Sequence, residues 1–145
     1  MINISNIDLS EELLSLGEYA LQKDMVDDAI KYFSDAIELN HHLAAAYNNL
    51  GVIFWGKNDF ANALNYIKTA TQKDPACLDY TLNYADMLTH LENFPEAVKS
   101  YNEIKRIFGS VLAEDEVKYI DGKLSEIKEA IGDSMPELIA KEDKV

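Results

Sequence analysis

The chain is predicted to be all-α, and three observations carry that prediction. Apolar residues recur at i, i+3, i+4 and i+7 through paired stretches of about 14 residues, the spacing of one helix face. The pairs repeat at an offset of 34 residues, the step from Gly17 to Gly51 and on to Ala85. Only six Gly and three Pro interrupt the sequence, too few for a fold built from many tight turns.

Composition narrows the class further. With 48% hydrophobic residues the 145-residue chain can bury a core, and its length fits one domain. Thirteen basic against 26 acidic residues give a net charge of −13. Phosphate-rich partners are disfavoured, so neither nucleic acid nor an anionic membrane surface is expected as a ligand. The start, MINISNIDLSEELL, lacks the basic and unbroken apolar segments of a secretory signal, and no apolar run reaches the length of a membrane span. A cytoplasmic protein is expected. Cys77 is the only cysteine, so an internal disulfide is impossible.

Residues 1–9 are read as a lead-in, ending in a capping box of Asp8 with Glu11. Three units follow, 10–43, 44–77 and 78–111, each a helical hairpin with polar breakers at 22–24, 56–59 and 90–93. Gly17, Gly51 and Ala85 stand in register, as do Ala29, Ala63 and Ala97. A small residue on the first helix facing Ala on the second lets two backbones approach closely. Gly within a helix costs about 1 kcal/mol against Ala, so its presence at 17 and 51 implies that packing recovers the loss. Phe33, Ile67 and Tyr101 occupy one further register position, and Leu16, Leu50 and Tyr84 another. Asp74 before Pro75 predicts the start of a helix, and Asn93 with Glu96 predicts a second capping box.

A fourth hairpin is not expected, because Tyr119 falls at the small position. Ala113, Val117, Ile120, Leu124, Ile127 and Ile131 instead form one apolar stripe over 112–132, ended by Gly132. Such a helix caps the exposed end of a repeat stack, or alternatively forms a dimer seam. Residues 133–145 are expected to be a flexible tail.

These residues resemble the tetratricopeptide repeat (TPR) family. The second unit carries Tyr47, Leu50, Gly51, Phe54, Ala63, Ile67, Ala70 and Pro75 of its signature; the first keeps Leu13, Leu16, Gly17, Ala29, Phe33 and Ala36. The third is more degenerate, with Ala85, Leu88, Ala97 and Tyr101, and Gly109 where Pro is usual. The resemblance implies a right-handed superhelical stack of three hairpins with a seventh, capping helix. It also implies a concave groove lined by the first helix of each hairpin.

Helical geometry then nominates the groove residues: Leu14, Ser15 and Glu18 from the first unit, Asn48, Asn49, Val52 and Trp55 from the second, and Leu82, Asn83 and Asp86 from the third. Asn49 and Asn83 lie one repeat apart and, by analogy with the family, would hydrogen-bond a peptide backbone; a helix-capping role is the alternative. Trp55 either anchors an apolar ligand side chain or fills space between hairpins. Glu11, Glu18, Asp79 and Asp86 make the face acidic, and it carries no Lys or Arg. The family's clamp for acidic chaperone tails needs basic residues where this chain has Leu14, Asp79 and Asn83, and Asn where it has Glu18, so only Asn49 matches. A neutral or basic peptide with an apolar anchor is expected instead, and Lys at positions 18 and 86 should weaken its binding.

No phosphate loop, nucleophile elbow or zinc-type spacing occurs. His41 and His42, read as lying on a helix, would diverge too far to share a metal, and Cys77 is read as a packing residue. The expected role is a protein-interaction module, an adaptor or scaffold with no cofactor, metal or enzymatic activity, acting as a monomer or weak homodimer. The alternatives are a self-associating structural protein or a detached accessory segment of a glycosyltransferase or methyltransferase system.

Overall fold

A computed structural model describes residues 4–132, so the expected tail over 133–145 lies outside the described residues. Among them, seven helices follow in order: α1 (Ile4–Gln22), α2 (Val26–Leu39), α3 (Ala44–Gly56), α4 (Phe60–Lys73), α5 (Leu78–His90), α6 (Phe94–Phe108) and α7 (Glu114–Ile131). The single domain expected from length resolves into two compact units, Met1–Tyr80 and Thr81–Val145, dividing within α5. Stacked repeats touch mainly their neighbours, which is why density of contact can divide such a chain.

In the first unit α1 pairs with α2, α3 pairs with α4, and α2 packs on α3. Ala20, Ala29, Phe33, Ala36, Ala46, Leu50 and Ile53 form one buried cluster. The two glycines sit where the hairpins close. A Cβ on Gly17 would lie 2.5 Å from Phe33, and one on Gly51 would lie 2.5 Å from Ile67 and 3.2 Å from the Ala63 carbonyl. Each glycine's main partner is thus the large residue one turn beyond the in-register alanine.

The turns inside the hairpins share one geometry. Asp24, Asn58 and Glu92 each adopt a positive φ near 60°. The next residue's N–H reaches back five positions, Met25 to Ala20, Asp59 to Phe54 and Asn93 to Leu88, each at 2.9 Å. This is the Schellman closure, with the left-handed residue just past the helix end. Between hairpins, Asn40 and Asp74 correspond: their side chains accept from the backbone N–H of His42 at 3.0 Å and Ala76 at 3.2 Å.

Several expected caps are corrected. α1 already runs from Ile4, so Asp8 and Glu11 lie inside the helix and form no capping box. Asp74 closes α4, and α5 starts only at Leu78, because the Asx turn at Asp74 inserts a bend first. Asn93 occupies the N-cap of α6, but its side chain makes no capping bond. A cap that local patterning did not reveal is Asp59, which accepts from the Asn62 backbone N–H at 3.3 Å.

In the second unit α7 packs on α6, burying Ile120 and Ile127 from the expected stripe. The Glu116 carboxylate reaches back to the Ala113 N–H at 2.7 Å, and Gly132, at φ 60°, closes the helix. Of the expected stripe, Ile120 and Ile127 are buried against their own chain, while Val117, Leu124 and Ile131 are half-buried.

Candidate functional site

The nominated residues divide between the two units. In the first, the core uses Gly17 and Ala20 of α1 and Ala46, Leu50, Gly51 and Ile53 of α3, all buried. The nominated side chains lie outside that buried set. Leu14 is half-buried against the core cluster, while Ser15 and Glu18 are exposed. The Ser15 hydroxyl donates to the Glu11 carbonyl at 3.1 Å, which leaves its oxygen only as an acceptor towards a ligand. On α3, Asn48, Asn49 and Trp55 are half-buried and Val52 is 48% exposed. The Trp55 ring tilts at 60° against Phe60 with centroids 4.7 Å apart, so part of its apolar surface already closes the α3–α4 turn. The face therefore offers an exposed aliphatic, two amides and carboxylates.

In the second unit Leu82 and Asn83 are half-buried. Asp86 has a role that sequence did not reveal. One carboxylate oxygen accepts from the Tyr101 hydroxyl on α6, and the other accepts from the Tyr119 hydroxyl on α7 at 2.8 Å. Burial pushes the Tyr101 phenol well above its ordinary range, and the bond to Asp86 raises it further. Burial and the same carboxylate push Tyr119 up to about 12. Both phenols stay protonated donors at neutral pH, and Asp86 joins three helices. Lys at this position would remove both acceptors, so it cannot serve as a plain test of ligand charge. A signal was present: Tyr101 holds the register position of Phe33 and Ile67, and a buried tyrosine hydroxyl calls for a partner.

The residues considered for metal chemistry do not assemble. Among the described residues no group of three or more His, Cys, Asp or Glu could hold an ion. His41 and His42 are exposed in the turn between α2 and α3, not on a helix, and Cys77 is half-buried just before α5. No described helix is long and apolar enough to cross a membrane.

Residues 48–110 match a tetratricopeptide repeat family. Over 90 residues the chain is 33% identical to intraflagellar transport protein 70A of Danio rerio, spanning 58% of this chain but only 14% of that protein's length. Two solved structures share its fold. The first TPR of Spaghetti (RPAP3), bound to the HSP90 peptide SRMEEVD, aligns with a TM-score of 0.70 and 15% identity over 86% of this chain and 97% of its own. The TPR2B domain of yeast Sti1, in a pHsp70 complex, aligns with a TM-score of 0.71 and 17% identity over 83% and 97%. The seven helices and these likenesses together give the chain a tetratricopeptide-repeat fold, and residues 48–110 carry the match to the family itself.

Proposed function

We propose that this chain is a protein-interaction module, an adaptor or scaffold without catalytic activity, that holds an extended peptide or partner helix against the α1 and α3 face. The observation carrying this reading is Val52, 48% exposed beside half-buried Asn48 and Asn49 on a helix whose other faces are consumed by the core. An aliphatic contact gives affinity, and the Asn49 amide beside it can serve both the donor and the acceptor of a peptide group. Trp55 contributes the ring surface that Phe60 leaves uncovered. In the second unit, Leu82 and Asn83 hold the register positions of Asn48 and Asn49 on α5. The likeness in fold to the Spaghetti (RPAP3) TPR bound to an HSP90 peptide, and to the Sti1 TPR2B domain in its pHsp70 complex, supports protein or peptide binding as the general role.

Charge makes the preferred ligand different from theirs. Glu11 and Glu18 are exposed on α1, and no basic side chain stands among the nominated residues. The ligand is therefore neutral or basic with an apolar anchor. Selection of a random peptide library against the chain tests this. Selected peptides should carry Lys or Arg around an aliphatic or aromatic residue and should outcompete the acidic peptide SRMEEVD. Val52→Asp and Asn49→Ala should each weaken binding about tenfold, the size of an interface hot spot. Peptides that bind both variants as well as the parent chain would refute the site, and selection of acidic peptides would refute the charge preference.

A further inference from the structure

A second face of α1 repeats a buried interface of the same molecule without its cover. In α3, the positions that meet the first hairpin are Leu43 just before the helix, then Ala46, Leu50 and Ile53; the last three are buried in the cluster with Ala29, Phe33 and Ala36 of α2. One repeat earlier the same register holds Leu9, Glu12, Leu16 and Tyr19 on α1. Leu9 and Leu16 are each 46% exposed and Tyr19 is 57% exposed, far more than the buried Leu50 and Ile53. Leu9 and Leu16 point away from Leu14 and Glu18, because a helix turns about 100° per residue, while Ser15, one turn from Glu12 and Tyr19, marks the border between the two faces. Stacking in this fold buries such a row under the second helix of a neighbouring hairpin, as α2 covers α3.

We infer that the Leu9–Leu16–Tyr19 face of α1 docks an amphipathic helix from another protein, one with a small-and-aliphatic stripe like that of α2 and with basic flanks. The stripe follows from continuity with the α2–α3 interface, whose positions this face reproduces. The basic flanks follow from Glu12, exposed where α3 has buried Ala46, and from exposed Asp8 one turn away. A second copy is disfavoured as occupant, since it would bring two chains of net charge −13 together. This face is independent of the peptide-binding face proposed above, and each can fail alone.

The probe is a stapled helical peptide with the 14-residue sequence of α2 in which Asp27→Lys, Asp28→Lys, Asp35→Lys and Glu38→Lys keep the packing stripe and invert the charge. Stapling supplies the helicity that so short a peptide lacks in water. The basic peptide should bind the full chain at least about tenfold tighter than the unaltered acidic α2 peptide. Leu16→Asp and, independently, Tyr19→Asp should weaken it about tenfold, and Glu12→Lys several-fold. Leu16 and Tyr19 are about half exposed and lie outside the buried core, so circular dichroism should stay at the parent value and unfolding midpoints should drop little, and Val52→Asp should leave this binding unchanged. No binding of the basic peptide, or equal binding by Leu16→Asp and Tyr19→Asp chains, overturns the inference. A concentration-dependent dimer in sedimentation that Leu16→Asp abolishes also overturns it, by assigning the face to a second copy.

Discussion

The hairpins within 4–80 and the hairpin-plus-cap within 81–132 follow one repeat register but close by different physics. At the first two crossings a glycine meets a purely apolar side chain, Gly17 under Phe33 and Gly51 under Ile67, and the fit is one of shape. At the third, Ala85 takes the small position and Tyr101 the large one, both fully buried, and the phenol reaches Asp86. Asp86 then extends the connection to Tyr119 of α7. The third hairpin must also fix the helix that caps it. Directional hydrogen bonds on a shared carboxylate fix orientation in a way that a greasy contact between α6 and α7 alone would not.

Gly51→Leu should be the most damaging single change. Its Cβ meets two atoms of Ile67 and the Ala63 backbone, so the hairpin must open, at a cost of about 3 kcal/mol. Urea unfolding measures it, and a loss below about 1 kcal/mol would show that the crossing is loose. Asp86→Ala comes next. It leaves the buried Tyr101 hydroxyl with only the 3.4 Å contact to Thr89, and should cost about 2 kcal/mol. Hydrogen exchange should show α7 freed while α1 and α2 keep their protection; uniform loss would contradict the latch.

Alkaline titration sharpens the same contrast. The Tyr101 and Tyr119 phenols are raised in the folded chain above their ordinary value of 10.0, Tyr119 to about 12. A raised phenol contributes stability that is fully present below pH 10 and is lost as pH climbs through the folded value, because the unfolded chain releases its proton first. Stability should therefore fall between pH 10 and 12, and Tyr119→Phe should flatten that fall. Tyr119 is 44% exposed, so solvent screening keeps its share small. An unchanged slope would place the alkaline loss elsewhere, Tyr47, Tyr80 and Tyr84 also being raised by burial.

The smallest expected effect is at the shared turn. Glu92 holds a left-handed conformation that Asn58 tolerates better and Gly best, so Glu92→Gly should stabilise by about 0.5–1 kcal/mol and Asn58→Gly by less. Equal gains at both would mean that the turn, and not the residue, sets the strain.

What sequence revealed and what it missed follow from range. The hairpins were legible because Gly17, Gly51 and their partners repeat at one spacing, and a period is a global signal that local noise does not erase. Caps were misread at Asp8 and Asp74 because an acidic residue before a helical pattern looks alike at a helix start, inside a helix and in an Asx turn. Only the geometry of the preceding turn tells them apart. The Asp86 latch was hidden because its partners lie 15 and 33 residues away, and no spacing rule links them. Helical periodicity separates Leu14, Ser15, Glu18, Asn48, Asn49, Val52 and Trp55, all half-buried or exposed, from the buried Gly17, Leu50, Gly51 and Ile53 between them. The intramolecular contact of Trp55 with Phe60 was not legible, since it depends on how the α3–α4 turn folds back.

The most direct test of the central claim is a chemical-shift map of the chain titrated with a library-selected peptide. Binding at the proposed face predicts that shifts in the 4–80 unit concentrate on Leu14 to Glu18 of α1 and Asn48 to Trp55 of α3, while Phe33, Ile67 and the outer residues of α2 and α4 stay still. Shifts centred on α2 or α4, with Asn49 and Val52 unmoved, would contradict it.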